Sequence, residues 1–152
     1  MFRQTTPQVP MALMFAGIIP FAATSGLMFV WRDDLALLNT AALWLMVYSS
    51  VILSFIGGVR WGAEIAKRER PRFAELGPSI IGALAGWGFV MAGFRYGMQT
   101  WIFAGMGAAL TLHYIYDSIS PELPIWYRRM RLWPTLGAVL SLALAYVLLS
   151  GA

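Results

Sequence analysis

Residues 48–64 read YSSVILSFIGGVRWGAE, and this stretch decides the fold. It begins as a uniformly apolar helix, passes two adjacent glycines, Gly57 and Gly58, and ends on Arg60, Trp61 and Glu64. Ser50, Ser54, Gly58 and Gly62 recur every four residues and so form one winding ridge on a helix. In lipid, where apolar surface gains nothing from leaving water, such small residues let helix backbones approach closely and exchange van der Waals contact. Arg60 points roughly 160° away from Gly58 at about 100° per residue. Glu64 is one turn further on the same face and can pair with it. Two readings of Arg60 stay open: an arginine snorkelling to the membrane–water boundary, or a buried functional charge.

Working outward, the whole chain is of the same character. It has 152 residues, 59% hydrophobic and 12% charged, where a soluble domain carries about 25% charged residues. There is no cysteine and one histidine, His113. Disulfides, thiolate metal sites and a bis-histidine haem within one chain are therefore excluded, and no cofactor or metal is expected. The formal net charge is +4, but the basic residues cluster beside apolar blocks. Orientation and anionic lipid explain them, with no call for nucleic acid.

Five apolar blocks predict one all-α membrane domain over residues 1–152, a polytopic bundle of about five transmembrane helices. The expected spans are 9–31, 35–62, 77–94, 98–116 and 132–149. Pro20 should kink the first by removing a backbone bond. The second is longer than a bilayer needs, and its helix could run on to Pro71. In the third, Gly82, Gly86, Gly93 and Gly97 give a close-packing side. In the fourth, Gly105, Ala109, His113 and Asp117 recur every four residues, which puts His113 inside the bundle and lets Asp117 orient its imidazole. Pro121 and Pro124 interrupt the loop at 118–131, whose end mixes aromatic and basic residues as an interfacial segment does.

With five spans, Arg3, Arg60, Lys67, Arg68, Arg70, Arg72, Arg128, Arg129 and Arg131 fall on one side, and only Arg32 and Arg95 on the other. The excess of basic residues marks the cytoplasmic side, so the N-terminus is expected inside and the C-terminus outside.

Two segments, VILSFIGGVRWG at 51–62 and PIWYRRMRLWPT at 124–135, resemble the domain-of-unknown-function family 3429, the transmembrane protein 69-like proteins. The resemblance covers about residues 10–149. Its most specific part is Gly57-Gly58-x-Arg60-Trp61-Gly62; the second is Trp126 and Tyr127 with Arg131. It implies a small multi-span protein of bacteria or mitochondria, and it carries over no catalytic residue. Residues 1–8 hold no long Arg/Ser-rich transit segment, so a bacterial inner membrane is the expected location.

No nucleophile elbow or metal-ligand spacing accompanies His113 and Asp117, and no enzymatic activity is expected. The leading expectation is an accessory or assembly subunit of a membrane complex, in contact with lipids and with other subunits or further copies of itself. The alternative is a binder of an amphiphile, a quinone or a lipid, at a polar cluster of Arg60, Trp61, Glu64, His113 and Asp117 between the second and fourth spans. A small oligomeric transporter or channel is a third. The packing positions expected are Ser50, Ser54, Gly57, Gly58, Gly62, Gly82, Gly86 and Gly105.

Overall fold

Asp34 starts the longest helix of the protein. In the computed structural model, which describes residues 7–152, its carboxylate accepts the backbone N–H groups of Ala36 and Leu37 at 3.0 and 3.1 Å. This satisfies donors that a helix N-terminus otherwise leaves free. Arg3, counted above in the charge bias, lies outside the described residues.

Among the described residues seven helices follow one another: α1 Gln8–Ala16, α2 Ile19–Val30, α3 Leu35–Lys67, α4 Phe73–Tyr96, α5 Thr100–Ser118, α6 Ile125–Met130 and α7 Leu132–Ser150. The first span breaks at Gly17 and Ile18, just before Pro20, which cannot donate to the carbonyl of Ala16. The Gly17 carbonyl at the break accepts the Tyr48 hydroxyl at 2.9 Å. At 33 residues, α3 is about 50 Å long and exceeds a hydrocarbon core of about 30 Å. It stops at Lys67, and Arg68 is extended, so the helix does not run on to Pro71. The next helix begins at Phe73, earlier than the expected residue 77, and carries Glu75 in its first turn. Gly97 ends it at φ 79°, a left-handed backbone that only glycine adopts without strain. Gly97 is thus a turn residue and no part of a packing face. Helices α6 and α7 meet at Arg131, whose own backbone is helical.

The helices form a ring in the order α4, α3, α2, α7, α5, with α5 closing back on α4 and α3. Met28, Leu45, Phe103, Met106 and Leu142 fill the centre. Among the described residues, four segments are long and apolar enough to cross a membrane: Gln8–Val30, Leu35–Lys67, Phe73–Tyr96 and Ile125–Ser150. Helix α5 has 19 residues, about 28 Å, but is less apolar because it holds His113 and Asp117. Both are buried, as polar groups of membrane helices are. The protein is an all-α membrane bundle.

The buried stripe of α3 is Leu38, Ala41/Ala42, Leu45/Met46, Ser49, Leu53, Ile56/Gly57, Arg60 and Glu64. The expected ridge is therefore corrected. A Cβ on Gly58 or Gly62 would meet nothing within 4 Å, and Ser54 is exposed. The reason is Arg60: it is buried, and Ser54, Gly58 and Gly62 lie on the opposite side of the helix and face outward; of the ridge only Ser50 packs against α4. Contact with α4 runs instead through Gly57 against Ser79, Gly82 against Leu53 and Gly86 against Ser50. Gly105 accommodates the ring of Phe89.

Candidate functional site

At the end of the bundle where α3 ends and α4 begins, charge is concentrated. Arg60 is 4% exposed, and all three guanidinium nitrogens are engaged. Nε donates to Asp117 Oδ1 at 2.9 Å, Nη1 to Glu75 Oε2 at 2.9 Å, and Nη2 to the Tyr116 carbonyl at 2.8 Å. Its guanidinium also lies 3.4 Å from the Tyr116 ring centroid, a cation–π contact. The second Asp117 oxygen accepts Arg131 Nε at 3.2 Å. One carboxylate, 1% exposed, thus ties α3 and α5 to the α6–α7 junction.

The network continues outward. Glu64 accepts both the backbone N–H and the Nε of Arg72, at 2.9 and 3.0 Å, and Arg68 Nε lies 3.2 Å from it. Arg72 and Arg68 both reach Glu122, at 3.0 and 3.2 Å, and Lys67 donates to the Glu122 carbonyl. Hydrogen bonds from Arg72, then Arg68 and Lys67, hold the Glu122 carboxyl below the usual range. Four carboxylates, Glu64, Glu75, Asp117 and Glu122, serve five cations, Arg60, Lys67, Arg68, Arg72 and Arg131.

Several expectations change here. Arg60 does not pair with Glu64; it takes Asp117 and Glu75, while Glu64 takes Arg72. Bidentate, charge-assisted contacts from a loop arginine replace the simple one-turn pair. His113 is not oriented by Asp117, because two arginines occupy both carboxylate oxygens. The imidazole instead fills the space left by Gly82, where a Cβ would come within 2.6 Å of Nε2, and its Nδ1 is buried without a partner. Trp61 is 43% exposed and stands apart. So Arg60 and Asp117 meet, Glu64 joins them through Arg72 and Glu75, and His113 and Trp61 do not. The void beside Arg60 is about 10 Å³, room for no more than about one water. That void lies between α3, α4 and residues 120–123, and an amphiphile does not fit in it.

Room for one lies elsewhere. A cleft of about 370 Å³ runs between the first span, α3 and α7, within the roughly 300–1,000 Å³ of small-molecule sites. Leu13, Phe21, Ile52, Val59, Pro134 and Ala138 give it apolar walls. Leu13 and Phe55 of its lining are each 69% exposed, so it opens on the outer face of the bundle. Its polar end is Arg131, with Trp126, Tyr127 and Thr135. Arg131 is 6% exposed, as is Thr135, and Arg131 Nη2 and Thr135 Oγ1 are buried without partners among the described residues. Among the described residues, no group of three His, Asp or Glu side chains could hold a metal ion.

Sequence reasoning missed Glu75, Arg72, Glu122 and Thr135. Glu75 and Arg72 lay in what read as a loop, because α4 starts before the apolar pattern does. Nothing local marks Glu122 as the partner of residues 50 to 55 positions earlier.

The chain matches the model of a family described as "Protein of unknown function (DUF3429)" over residues 6–147. It is similar to "Transmembrane protein 69" of Xenopus tropicalis, 32% identical over 142 residues, covering 90% of this chain and 53% of the relative. The Mus musculus protein of that name is 27% identical over 146 residues, covering 94% and 57%. The chain thus spans about half the length of the curated relatives it matches. No solved structure matches it.

Proposed function

We propose, for a chain that belongs to the DUF3429 family of proteins of unknown function, that it is a non-enzymatic membrane protein that takes up an amphiphile from the bilayer. The observation that carries this is the cleft: apolar walls, an opening on the outer face, and a buried polar end at Arg131 and Thr135. Most of a ligand pocket is apolar, with a few polar groups that fix orientation, and this cleft has that division. The charged network gives the cleft a fixed end, because Asp117 holds Arg131 against Arg60. The test is native mass spectrometry of protein extracted in mild detergent. Retained quinone or lipid, lost when Val59→Phe fills the cleft, supports the reading. Protein that never carries an amphiphile, in wild type or after reconstitution, refutes it.

The second reading is an accessory or assembly subunit. It is favoured by the stripe of Ser54, Gly58 and Gly62 on α3, which no helix among the described residues covers. Small residues of this spacing suit close contact with another membrane helix, from another subunit or a second copy. Recovery only as a lone, monodisperse monomer counts against it. For location we take a bacterial inner membrane with the charged end in the cytoplasm, supported by the excess of basic residues there. The same argument holds for a mitochondrial inner membrane with that end in the matrix. Reporter fusions at Ala152 and at residues 68–72 should then report opposite sides.

A further inference from the structure

Among the described residues that line the cleft, Arg131 alone is charged. Its Nε is spent on Asp117 at 3.2 Å, but its Nη2 is buried with no acceptor. An unmatched guanidinium donor in a dry site is costly, and a native structure keeps one where something else supplies the acceptor. Thr135 lies one turn further along α7, on the same face as Arg131. Its hydroxyl is likewise buried and unpartnered. The two free donors thus belong to residues that line the polar end of an apolar cleft.

From this we infer that the cleft takes an anionic phospholipid, with a headgroup phosphate oxygen accepting from Arg131 Nη2 and Thr135 Oγ1 and an acyl chain along Ile52, Val59 and Ala138. The inference rests on the amphiphile reading above and adds the headgroup to it. The asymmetry of the lining selects the charge. A guanidinium and a hydroxyl together suit a phosphate oxyanion, to which charge-assisted bonds are about twice as strong as neutral ones. A quinone carbonyl is neutral and gains less. A zwitterionic lipid brings a quaternary ammonium for which the cleft wall has no carboxylate: Asp117, the nearest acid in the network, already has both oxygens on arginines.

The experiment uses the full chain, delipidated in detergent and titrated in native mass spectrometry and thermal shift. The probes are dioleoyl-phosphatidylglycerol, dioleoyl-phosphatidylcholine, an isoprenoid benzoquinone and inorganic phosphate. Phosphatidylglycerol should bind at least about tenfold more tightly than the other lipid or the quinone. Thr135→Val should weaken phosphatidylglycerol about tenfold. Because the Thr135 hydroxyl has no partner among the described residues, this variant should fold as wild type does. Arg131→Gln should abolish the preference, and Thr135→Val keeps the test open if that variant misfolds. Equal binding of both lipids and the quinone, all lost in Val59→Phe, would overturn the anionic headgroup while leaving the amphiphile reading intact. No amphiphile binding at all would overturn both. Inorganic phosphate binding as tightly as phosphatidylglycerol would overturn the lipid as the source of the oxyanion.

Discussion

Gly57→Ala and Gly58→Ala differ by one position and should have opposite effects. A Cβ at Gly57 would stand 1.9 Å from the Ser79 carbonyl oxygen, against 3.4 Å for the start of ordinary contact, so α3 and α4 must part by about 1.5 Å. The obstacle is backbone, not the end of a flexible side chain, and it cannot turn aside. Parting the helices also loosens Gly82 from Leu53 and Gly86 from Ser50. Overpacking of this kind costs about 1–3 kcal/mol, and backbone contact puts Gly57→Ala at the upper end. At Gly58 a Cβ meets nothing within 4 Å, and alanine improves helix propensity by up to about 1 kcal/mol. The propensity gain applies at both positions and cancels, so the two variants should differ by the overpacking cost, about 1–3 kcal/mol, in thermal or denaturant unfolding in detergent. Equal stability would refute the reasoning. A larger loss at Gly58 would also refute it and would show that the outer face of α3 is covered by something other than this chain.

Arg60 and Arg131 share Asp117, so a double-mutant cycle between Arg60→Gln and Arg131→Gln should show coupling of about 0.5–3 kcal/mol; the same cycle between Arg60→Gln and His113→Gln should be additive within about 0.5 kcal/mol. Glu122 has a depressed folded-state pKa, so its contribution is present above the ordinary carboxylate range and is lost as pH falls through the folded pKa. Limited proteolysis at residues 68–72 should accelerate in that acid window, and Glu122→Gln should remove the acceleration. Tyr48→Phe deletes the bond to the Gly17 carbonyl and should cost about 0.6 kcal/mol, the average for a hydrogen bond in a membrane bundle, read as a small drop in unfolding midpoint.

The class of the fold was legible because a charge deficit and long apolar blocks leave no other solution than membrane helices. The small-residue faces were legible as a kind of surface but not as partners. The ridge at Ser54, Gly58 and Gly62 has the same pattern as a packed one, and only the buried Arg60 on the other side of α3 turns it outward. That burial depends on Asp117, 57 positions away, a pairing no local spacing encodes. Gly57, beside the expected ridge, makes the closest approach instead. The beginning of α4 was hidden because its first turn is charged, and Glu75 was lost with it. The cleft was hidden for another reason: it is a gap between three helices, and its polar end joins Arg131 to Thr135 across what sequence reading divided into a loop and a span.

The most direct measurement is an experimental density map of the protein in a lipid bilayer nanodisc containing phosphatidylglycerol. An elongated feature between the first span, α3 and α7, ending within hydrogen-bond distance of Arg131 Nη2 and Thr135 Oγ1, is the predicted result. A cleft closed by the first span packing onto α3, or one open with its Arg131 donor turned onto a protein acceptor, would contradict it.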